Sequence, residues 1–358
     1  MRGILIGIAI FLVLLLVVVL GFKLYDYISA FEFYNNSEVV FKTPGVRDSN
    51  FVPQGMTYIE EKKTFLFAGH MGKPFWSKLG DEVASRVYVR NSNGDLTFTR
   101  LLNEDGTPYT GHSGGVDYFG DYIYVADEEK HCLVVFWAED ILSGKEETKM
   151  IGTVKTYNAP ANCHIFSNDK GEKYVVAGSY HKEGSIYLTP SHERITTPTG
   201  ERNTSVMTVF KLSESADLGV EPTPVAVFSA GEMVQGVCMT PDGQMVVCAS
   251  WGLSRSKLFF YDLSKIQHTE GYTYKGNITY INADGSKTEE GFEFNNIPLY
   301  YLDSSCLVDT VVAPPMSEEL VCLDGRIIVF CESACNKYVF GKLTTGFDIY
   351  AYKYKTLK

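Results

Sequence analysis

The chain has 358 residues, of which 45% are hydrophobic, 13% aromatic and 21% charged, which excludes a wholly disordered polypeptide. Its length exceeds one typical domain of about 100–150 residues, although single all-β domains often pass about 200. The formal net charge of −11 argues against binding to the phosphate backbone of nucleic acid, so no nucleic-acid partner is expected.

The first predicted element is an apolar helix. Residues from Gly3 to Phe22 carry no charge, and this run has the length of about 20 residues that a membrane-spanning helix needs. A cleaved signal peptide is the alternative, but the nearest candidate cleavage site, Ile28-Ser29-Ala30, begins with a large residue. Arg2 and the amino terminus outweigh Lys23, which predicts a single-pass membrane anchor with the rest of the chain extracytoplasmic.

A repeated strand unit follows the anchor. Short runs of Val, Ile, Tyr and Phe alternate with turn residues, which is typical of strands. A pair of such strands recurs five times. The first strand of each pair starts at Gln54, Gly114, Asn162, Gln235 or Glu318. Third strands are predicted at 86–90, 133–137, 206–212, 257–263 and 348–352. Fourth strands are predicted at 96–101, 150–157, 225–228 and 305–312. Five four-stranded antiparallel units predict an all-β fold, a five-bladed β-propeller.

The fifth unit lacks a fourth strand of its own. Residues 39–43, just after the anchor, are predicted to supply that strand and close the ring, which removes free sheet edges. Residues 264–304 are interpreted as an insertion, with a sixth blade as the alternative, and a β-sandwich is the alternative to the whole propeller. The predicted division is therefore an anchor (1–25), a linker with the closing strand (26–45) and a propeller (46–358).

The repeat also predicts a binding face. In a propeller, the starts of the inner strands and the ends of the second strands meet at one end of the central channel. The polar and aromatic residues predicted to bind a ligand there are Gln54, His70, His112, Asp127, Asn162, His181, Gln235, Trp251, Glu318 and Glu332. Long loops at 72–85, with Phe75 and Trp76, and at 182–205 join the same face. The alternative is that these residues only bind water and satisfy backbone groups.

Three side chains are candidates for catalysis, namely His112, His164 and Glu318. The segment Gly111–Gly115 matches the Gly-x-Ser-x-Gly nucleophile elbow, but a strand rather than a helix is predicted after it. Ser113 could still act with His112, or with His164 across the channel. Glu318 and Glu319 could bind a cation or provide a general base, or could form a solvated strand start.

The recurring Gln54-Gly55 and Gln235-Gly236 starts and the turns at 242–243 and 324–325 resemble those of NHL-repeat and gluconolactonase-like propellers. The gluconolactonase-like family holds a divalent cation such as calcium with a Glu, an Asn and an Asp at the channel mouth. The resemblance implies Glu318 and Asn162 for two of these ligands and leaves the third between Asp117 and Asp127. Glu319 stands where the family has a Gly.

These patterns favour a membrane-anchored propeller that binds a small molecule, a glycan or a protein at its channel mouth. A cation-dependent hydrolase of esters or lactones is the first alternative, with the metal held by Glu318, Asn162 and Asp127. A structural partner in a membrane complex is the second. The eight cysteines are predicted to be thiols, because most of them lie in apolar strand-like runs; one or two disulfides are the alternative.

Overall fold

The computed structural model describes residues 2–47, 49–73, 83–281 and 287–357. It begins with helix α1 (Arg2–Ser29), the short helix α2 (Phe31–Asn35) and strand β1 (Ser37–Lys42). The segment Ile4–Ser29 is long and apolar enough to cross a membrane, and its most apolar part is not buried against the rest of the protein. A helix satisfies its own backbone hydrogen bonds, which is what a lipid environment requires. A signal sequence has the same length and composition, so the fold leaves both readings of this helix open.

The remaining strands follow in chain order. The first two groups are β2 (Phe51–Ile59), β3 (Thr64–Met71), β4 (Arg86–Arg90) and β5 (Leu96–Leu102), then β6 (Val116–Phe119), β7 (Tyr122–Asp127), β8 (Cys132–Trp137), helix α3 (Ala138–Leu142), β9 (Glu147–Lys149) and β10 (Gly152–Lys155). The third group is β11 (Pro160–Ser167), β12 (Lys173–Ser179), β13 (Ile195–Thr196), β14 (Arg202–Asn203), β15 (Ser205–Leu212) and β16 (Val220–Ala230). The last two groups are β17 (Val234–Met239), β18 (Gln244–Ala249), β19 (Ser256–Asp262), β20 (Gln267–Ile281), β21 (Lys287–Tyr301) and β22 (Leu307–Ala313), then β23 (Ser317–Leu323), β24 (Arg326–Cys331) and β25 (Asp348–Tyr352).

Within the described residues, these strands form a propeller of five blades, as predicted. From the channel outward, blades 1 to 5 have the strand orders β2-β3-β4-β5, β6-β7-β8-β10, β11-β12-β15-β16, β17-β18-β19-β22 and β23-β24-β25-β1. All pairs inside a blade are antiparallel, so the chain passes outward through each blade and then starts the next one at the channel.

Strand β1 closes the ring. It pairs antiparallel with β25, from Ser37 opposite Tyr352 to Lys42 opposite Asp348. The predicted closing strand at 39–43 is therefore confirmed, with its start two residues earlier. Blade 5 thus combines strands from the two ends of the sequence, and β1 supplies its fourth strand.

The insertion at 264–304 is confirmed as an addition to blade 3. Strands β20 and β21 form a long antiparallel hairpin, and β21 pairs parallel with β16 through Val227 and Leu299. A second addition lies on blade 1, where β9 pairs parallel with β5. Among the residues described, no sixth blade is formed.

The cores lie between neighbouring blades. Leu66 and Val87 of blade 1, for example, pack with Val125 and Val134 of blade 2, and all four are almost completely buried. Each such side chain contributes about 1.5–3 kcal/mol when it leaves water. All eight cysteines are free thiols, and all but Cys322 are buried.

Candidate functional site

A β-bulge marks the start of the inner strands at one end of the channel. In β2, Pro53 faces Gly69 and Gly55 faces Ala68, so Gln54 is the extra residue. Gln235 is the extra residue in β17, between Val234 and Gly236. Bulges re-aim side chains and end regular pairing. They turn these residues toward the opening, which we call the mouth.

Glycines follow the bulges because the inner strands approach each other closely at the axis. A Cβ atom on Gly55 would lie 2.7 Å from the backbone of Gly115, and one on Gly115 would lie 2.4 Å from the amide nitrogen of Cys163. A Cβ on Gly236 would lie 2.5 Å from Cα of Glu319. Only glycine fits such an approach. The recurring Gln-Gly pairs therefore combine a side chain for the mouth with a close backbone contact below it.

In blade 5 the axial position holds Glu319 instead of glycine. Both of its carboxylate oxygens are buried and make no hydrogen bond. Burial raises the pKa of Glu319 well above its usual range, and the amides of Val116, Cys163 and Val237 offset this only in part. The neighbouring Glu318 is 1% exposed, and burial together with the charge of Glu332 raises its pKa as well. The alternative of a solvated strand start is therefore wrong.

The mouth opens into a cavity of about 260 Å³, to which all five blades contribute. Its aromatic lining consists of Tyr180, Tyr187, Trp251 and Tyr338. Its polar lining consists of Gln54, His112, Glu128, Gln235, Glu332 and Lys337. A larger cleft of about 630 Å³ adjoins it and shares Trp251, but the described residues that line this cleft come from blades 3 and 4.

One side of the cavity is organised around Glu332. Gln54 Nε2 donates a hydrogen bond to Glu332 Oε2 over 2.7 Å, and the Tyr338 hydroxyl donates to Oε1 over 3.0 Å. Burial raises the pKa of Glu332, although the charges of Lys337 and His112 and both hydrogen bonds oppose this. Glu332 is therefore held in place by two donors and favours its neutral form more than an exposed glutamate does.

The other side carries a charged pair. His112 Nδ1 lies 3.0 Å from Glu128 Oε1. Burial alone would lower the pKa of His112, but the hydrogen bond and charge of Glu128 outweigh it and raise the pKa. In Glu128, burial is likewise outweighed, and the hydrogen bond from His112 lowers the pKa. The two carboxyl groups of the cavity, Glu128 and Glu332, are thus shifted in opposite directions.

Five of the ten residues predicted to bind a ligand line the cavity together, namely Gln54, His112, Gln235, Trp251 and Glu332. His70 packs behind it, with its ring 4.9 Å from that of His112, and burial lowers the pKa of His70 to about 2. His181 is buried against Glu193 at 2.8 Å.

The other predicted residues lie outside the cavity. Asp127 accepts a hydrogen bond from the Tyr109 hydroxyl over 2.8 Å and caps a turn. Asn162 donates weakly to the carbonyl oxygens of Gly178 and Val234 near the axis. Phe75 and Trp76 lie outside the described residues.

The sequence reasoning missed four lining residues, Glu128, Tyr187, Lys337 and Tyr338. Lys337 and Tyr338 lie between β24 and β25, in a loop of 16 residues. This loop joins the second and third strands, as do the long loops that the sequence did single out. The length of this loop was the sequence feature that could have identified Lys337 and Tyr338. Glu128 directly follows Asp127 in the sequence, so the prediction named the neighbour of the residue that lines the cavity.

His164 lies at the opposite opening of the channel, where the inner hairpins turn. Its Nδ1 is 3.6 Å from Asp117 Oδ2, and both line a cavity of about 420 Å³. Burial raises the pKa of Asp117 to about 6 and lowers that of His164 to about 4. The suggested pairing of Ser113 with His164 is therefore wrong, and the Ser113 hydroxyl donates to Gly111 O instead. A strand follows Ser113, as expected, so the segment is not a nucleophile elbow.

The predicted cation ligands do not converge. Asp127 is engaged by Tyr109, Asn162 turns toward Gly178 and Val234, and Glu318 lies buried beside the axis. In the part of the chain that the structure describes, no group of three or more His, Cys, Asp or Glu side chains could hold a metal ion. These residues do not fit the calcium site that the resemblance implies, and no chemical step is assigned to a metal.

No protein-family model and no curated protein matches this chain. Similar solved structures include a GH43_1 enzyme from Xanthomonas citri, with 10% identity, a TM-score of 0.45 and coverage of 90% of this chain and 92% of that chain. Another is the PQQ-bound aldose sugar dehydrogenase from Streptomyces coelicolor, with 11% identity, a TM-score of 0.41 and coverage of 88% and 96%. A luciferin-regenerating enzyme has 13% identity, a TM-score of 0.42 and coverage of 90% and 99%. The resemblance concerns the propeller fold, which the strand pairing establishes directly, and no function follows from it.

Proposed function

We propose that this protein is a membrane-anchored propeller whose mouth binds a small, neutral, polyhydroxylated molecule such as a saccharide. The observation that carries the proposal is the lining of the mouth cavity, where aromatic rings and hydrogen-bonding side chains face one space of about 260 Å³. This volume lies just below the range of about 300–1,000 Å³ that is common for small-molecule sites. The cavity therefore suits a ligand of one or two rings.

The aromatic side chains form one connected wall. The rings of Tyr180 and Tyr187 meet edge to face at 5.5 Å, and Tyr187 meets Trp251 in the same way at 6.1 Å. Trp251 is 38% exposed and Tyr187 is 37% exposed, so both present surface to a ligand. Flat rings of this kind cover the C–H faces of a sugar while their polar ends remain solvated.

The polar groups suit an uncharged ligand. The lining holds two carboxyl groups, Glu128 and Glu332, and two basic side chains, His112 and Lys337, so neither sign of charge is in strong excess. Gln54 and Gln235 offer amides that both donate and accept hydrogen bonds, which matches hydroxyl groups. A strongly anionic or cationic ligand would find no matching cluster here.

The proposal is tested by calorimetric titration of the full chain in detergent with a panel of mono- and disaccharides. Trp251→Ala is expected to weaken binding by about 5- to 150-fold, because the stacking of a flat ring on an aromatic side chain is worth about 1–3 kcal/mol in the case of nucleobases. Trp137→Ala is the matched control, because Trp137 is 45% exposed but lies at the end of β8, outside the mouth. The absence of saccharide binding, or equal loss in both variants, would contradict the proposal.

Hydrolysis of a bound ester or lactone is a second candidate, favoured by the opposite pKa shifts of Glu128 and Glu332. Two carboxyl groups whose surroundings push their pKa values apart are the arrangement that acid–base catalysis uses. Glu332→Gln keeps a hydrogen-bonding group but has no proton to transfer. Retained binding with lost turnover in this variant would favour the enzyme, whereas the absence of turnover in the unmodified protein would exclude it.

A further inference from the structure

The end of α1 is fixed to the propeller without a free linker. Asp26 is 2% exposed, forms an ion pair with Arg255 and accepts a hydrogen bond from the Tyr34 hydroxyl over 2.9 Å. Ala30 and Phe33 are buried in the core between blades 4 and 5. The position of the helix end therefore determines which side of the propeller lies near a membrane that the helix spans.

The contacts of Asp26 lie on the mouth side. Arg255 belongs to the loop that joins β18 and β19, and Thr345, which donates to Asp26 over 3.3 Å, belongs to the loop that joins β24 and β25. Loops between second and third strands lie at the mouth in every blade. The apolar helix thus leaves the propeller from the end that carries the candidate site.

The same stretch of α1 has the composition of a membrane–water interface. Lys23, Tyr25 and Tyr27 follow the apolar run, and both tyrosines are exposed. Basic and aromatic residues at the end of a span are typical of the headgroup level. The guanidinium group of Arg255 lies over the Tyr25 ring at 5.1 Å. If α1 spans a membrane, this contact places a mouth loop of blade 4 at the level of the lipid headgroups.

Exposed apolar side chains project from the mouth loops, with Val83 on the loop of blade 1 and five others on the loops of blades 3, 4 and 5. We call these five residues the apolar loop tips: Ile186, Leu188, Leu253, Val339 and Phe340, which are 86%, 65%, 47%, 44% and 67% exposed. Among the described residues, the inner hairpin turns at the opposite opening carry no exposed large hydrophobic side chain. Single exposed apolar side chains such as Trp137 and Val308 occur elsewhere, but the apolar loop tips are grouped on the mouth loops, and such a grouping marks an interaction site.

We propose that the mouth face rests on the lipid bilayer, with the apolar loop tips inserted at the level of the headgroups. This inference depends on the proposed anchoring by α1, and the partner is a lipid surface because the helix end and the loop tips lie on the same side. Contact of the apolar loop tips with lipid would exclude a second copy of the chain, or another protein, as the partner of this surface. The ligand of the mouth would then be taken from the membrane surface.

The test uses the full chain in phosphatidylcholine vesicles that contain nitroxide-labelled lipids. An environment-sensitive fluorophore is attached to Ile186→Cys or Phe340→Cys. The buried native thiols react slowly, because burial raises the pKa of each of them. Val308→Cys is the matched control, since Val308 is 41% exposed on β22 of blade 4, near the opposite end. Leu15→Cys reports insertion of α1.

Lipid nitroxides are expected to quench the labels at Ile186 and Phe340 at least about twice as strongly as the label at Val308. Quenching at Leu15 with equal, weak quenching at the other three positions would overturn the inference while leaving the anchor intact. An unquenched label at Leu15 would overturn the anchor and the inference together. A shift of the Ile186 label without quenching, accompanied by dimers in sedimentation, would identify a second copy as the partner and overturn the lipid contact.

Discussion

The two ends of the central channel are built from the same inner strands, yet they differ in structure. At the mouth, the strands begin with bulges, and loops carry aromatic and charged residues around Glu332 and the His112–Glu128 pair. At the opposite opening, the strands end in regular hairpins, and Asp117 is enclosed by the Thr57 hydroxyl at 2.7 Å and the Ile165 amide at 2.6 Å.

This difference shows how a repeated scaffold assigns separate tasks to its two ends. Asp117 ties three inner strands together, because Thr57, Asp117 and Ile165 belong to blades 1, 2 and 3. The mouth side chains are joined in pairs, and several of them keep surface for a ligand. The hairpin end therefore stabilises the ring, whereas the bulged end presents side chains that can contact a ligand.

The largest expected effect comes from filling the axis below the mouth. Gly115→Ala places a Cβ atom against the amide nitrogen of Cys163 and the Glu319 carboxylate, which must both shift. Overpacking of this kind costs about 3 kcal/mol in the free energy of unfolding. Gly231→Ala is the control, because nothing lies within 4 Å of its Cβ position. Urea unfolding of the full chain in detergent measures both, and equal stability of the two variants would contradict the close approach.

Near pH 6 a smaller effect, of at most about 2 kcal/mol, is expected from the carboxyl group at the middle of the channel. Burial raises the pKa of Glu319 in the folded protein, so the unfolded chain loses its proton first as the pH rises. The folded state is then destabilised above the usual glutamate pKa, by at most about 1.4 kcal/mol per pH unit.

Glu319→Gln removes this penalty. The melting temperature of the variant should exceed that of the unmodified protein by an amount that grows from about pH 4 to about pH 8. A difference that shrinks over that range would show that the glutamate is stabilised in its ionised form.

The smallest effect concerns the partly exposed pair of His112 and Glu128 at the mouth. The raised pKa of His112 gives stability that is present below its usual pKa of 6.5 and lost as the pH rises through the raised value. The lowered pKa of Glu128 gives stability that is present above 4.5 and lost on acidification. The His112 side chain is 35% exposed, so the pair is worth only about 0.5–1 kcal/mol.

His112→Gln keeps a hydrogen-bond donor for Glu128 but removes the positive charge. Its destabilisation should therefore be greatest near about pH 5.5 and vanish at a pH well above 7, as followed by thermal unfolding at a series of pH values. A destabilisation that is constant across this range would assign the effect to packing instead of charge.

The propeller could be predicted because its signal is repeated. Three of the five inner strands have a Gln-Gly or Gly-Gly start and every one is followed by an apolar second strand, so an error in one copy is corrected by the others. The closing strand at Ser37–Lys42 followed from the missing outer strand of blade 5. The prediction depended on counting strands, not on any special residue.

The site was predicted less completely because side-chain contacts across blades have no signature in one sequence. Gln54 and Glu332 are 278 residues apart, yet they share a hydrogen bond. His164 was considered as a partner of Ser113 across the channel, but it lies further along β11 toward the hairpin turn and lines the opposite opening beside Asp117. Asp127 and Asn162 have the right residue types for a cation site, but Tyr109 and the turn amides occupy the Asp127 carboxylate, whereas Asn162 donates through its nitrogen and its Oδ1 is buried without a hydrogen-bond partner.

The closing of blade 5 also sets the order of events during biosynthesis. Helix α1 and β1 are translated before every other strand of the ring, whereas β25, the neighbour of β1 in its sheet, is translated after the strands of all five inner hairpins. The ring therefore stays open until β25 has been made, and a pairing between strands so distant in sequence is slow to form. During that interval a membrane-inserted α1 would hold β1 in place beside the bilayer, so that β25 has to find a strand that is already tethered.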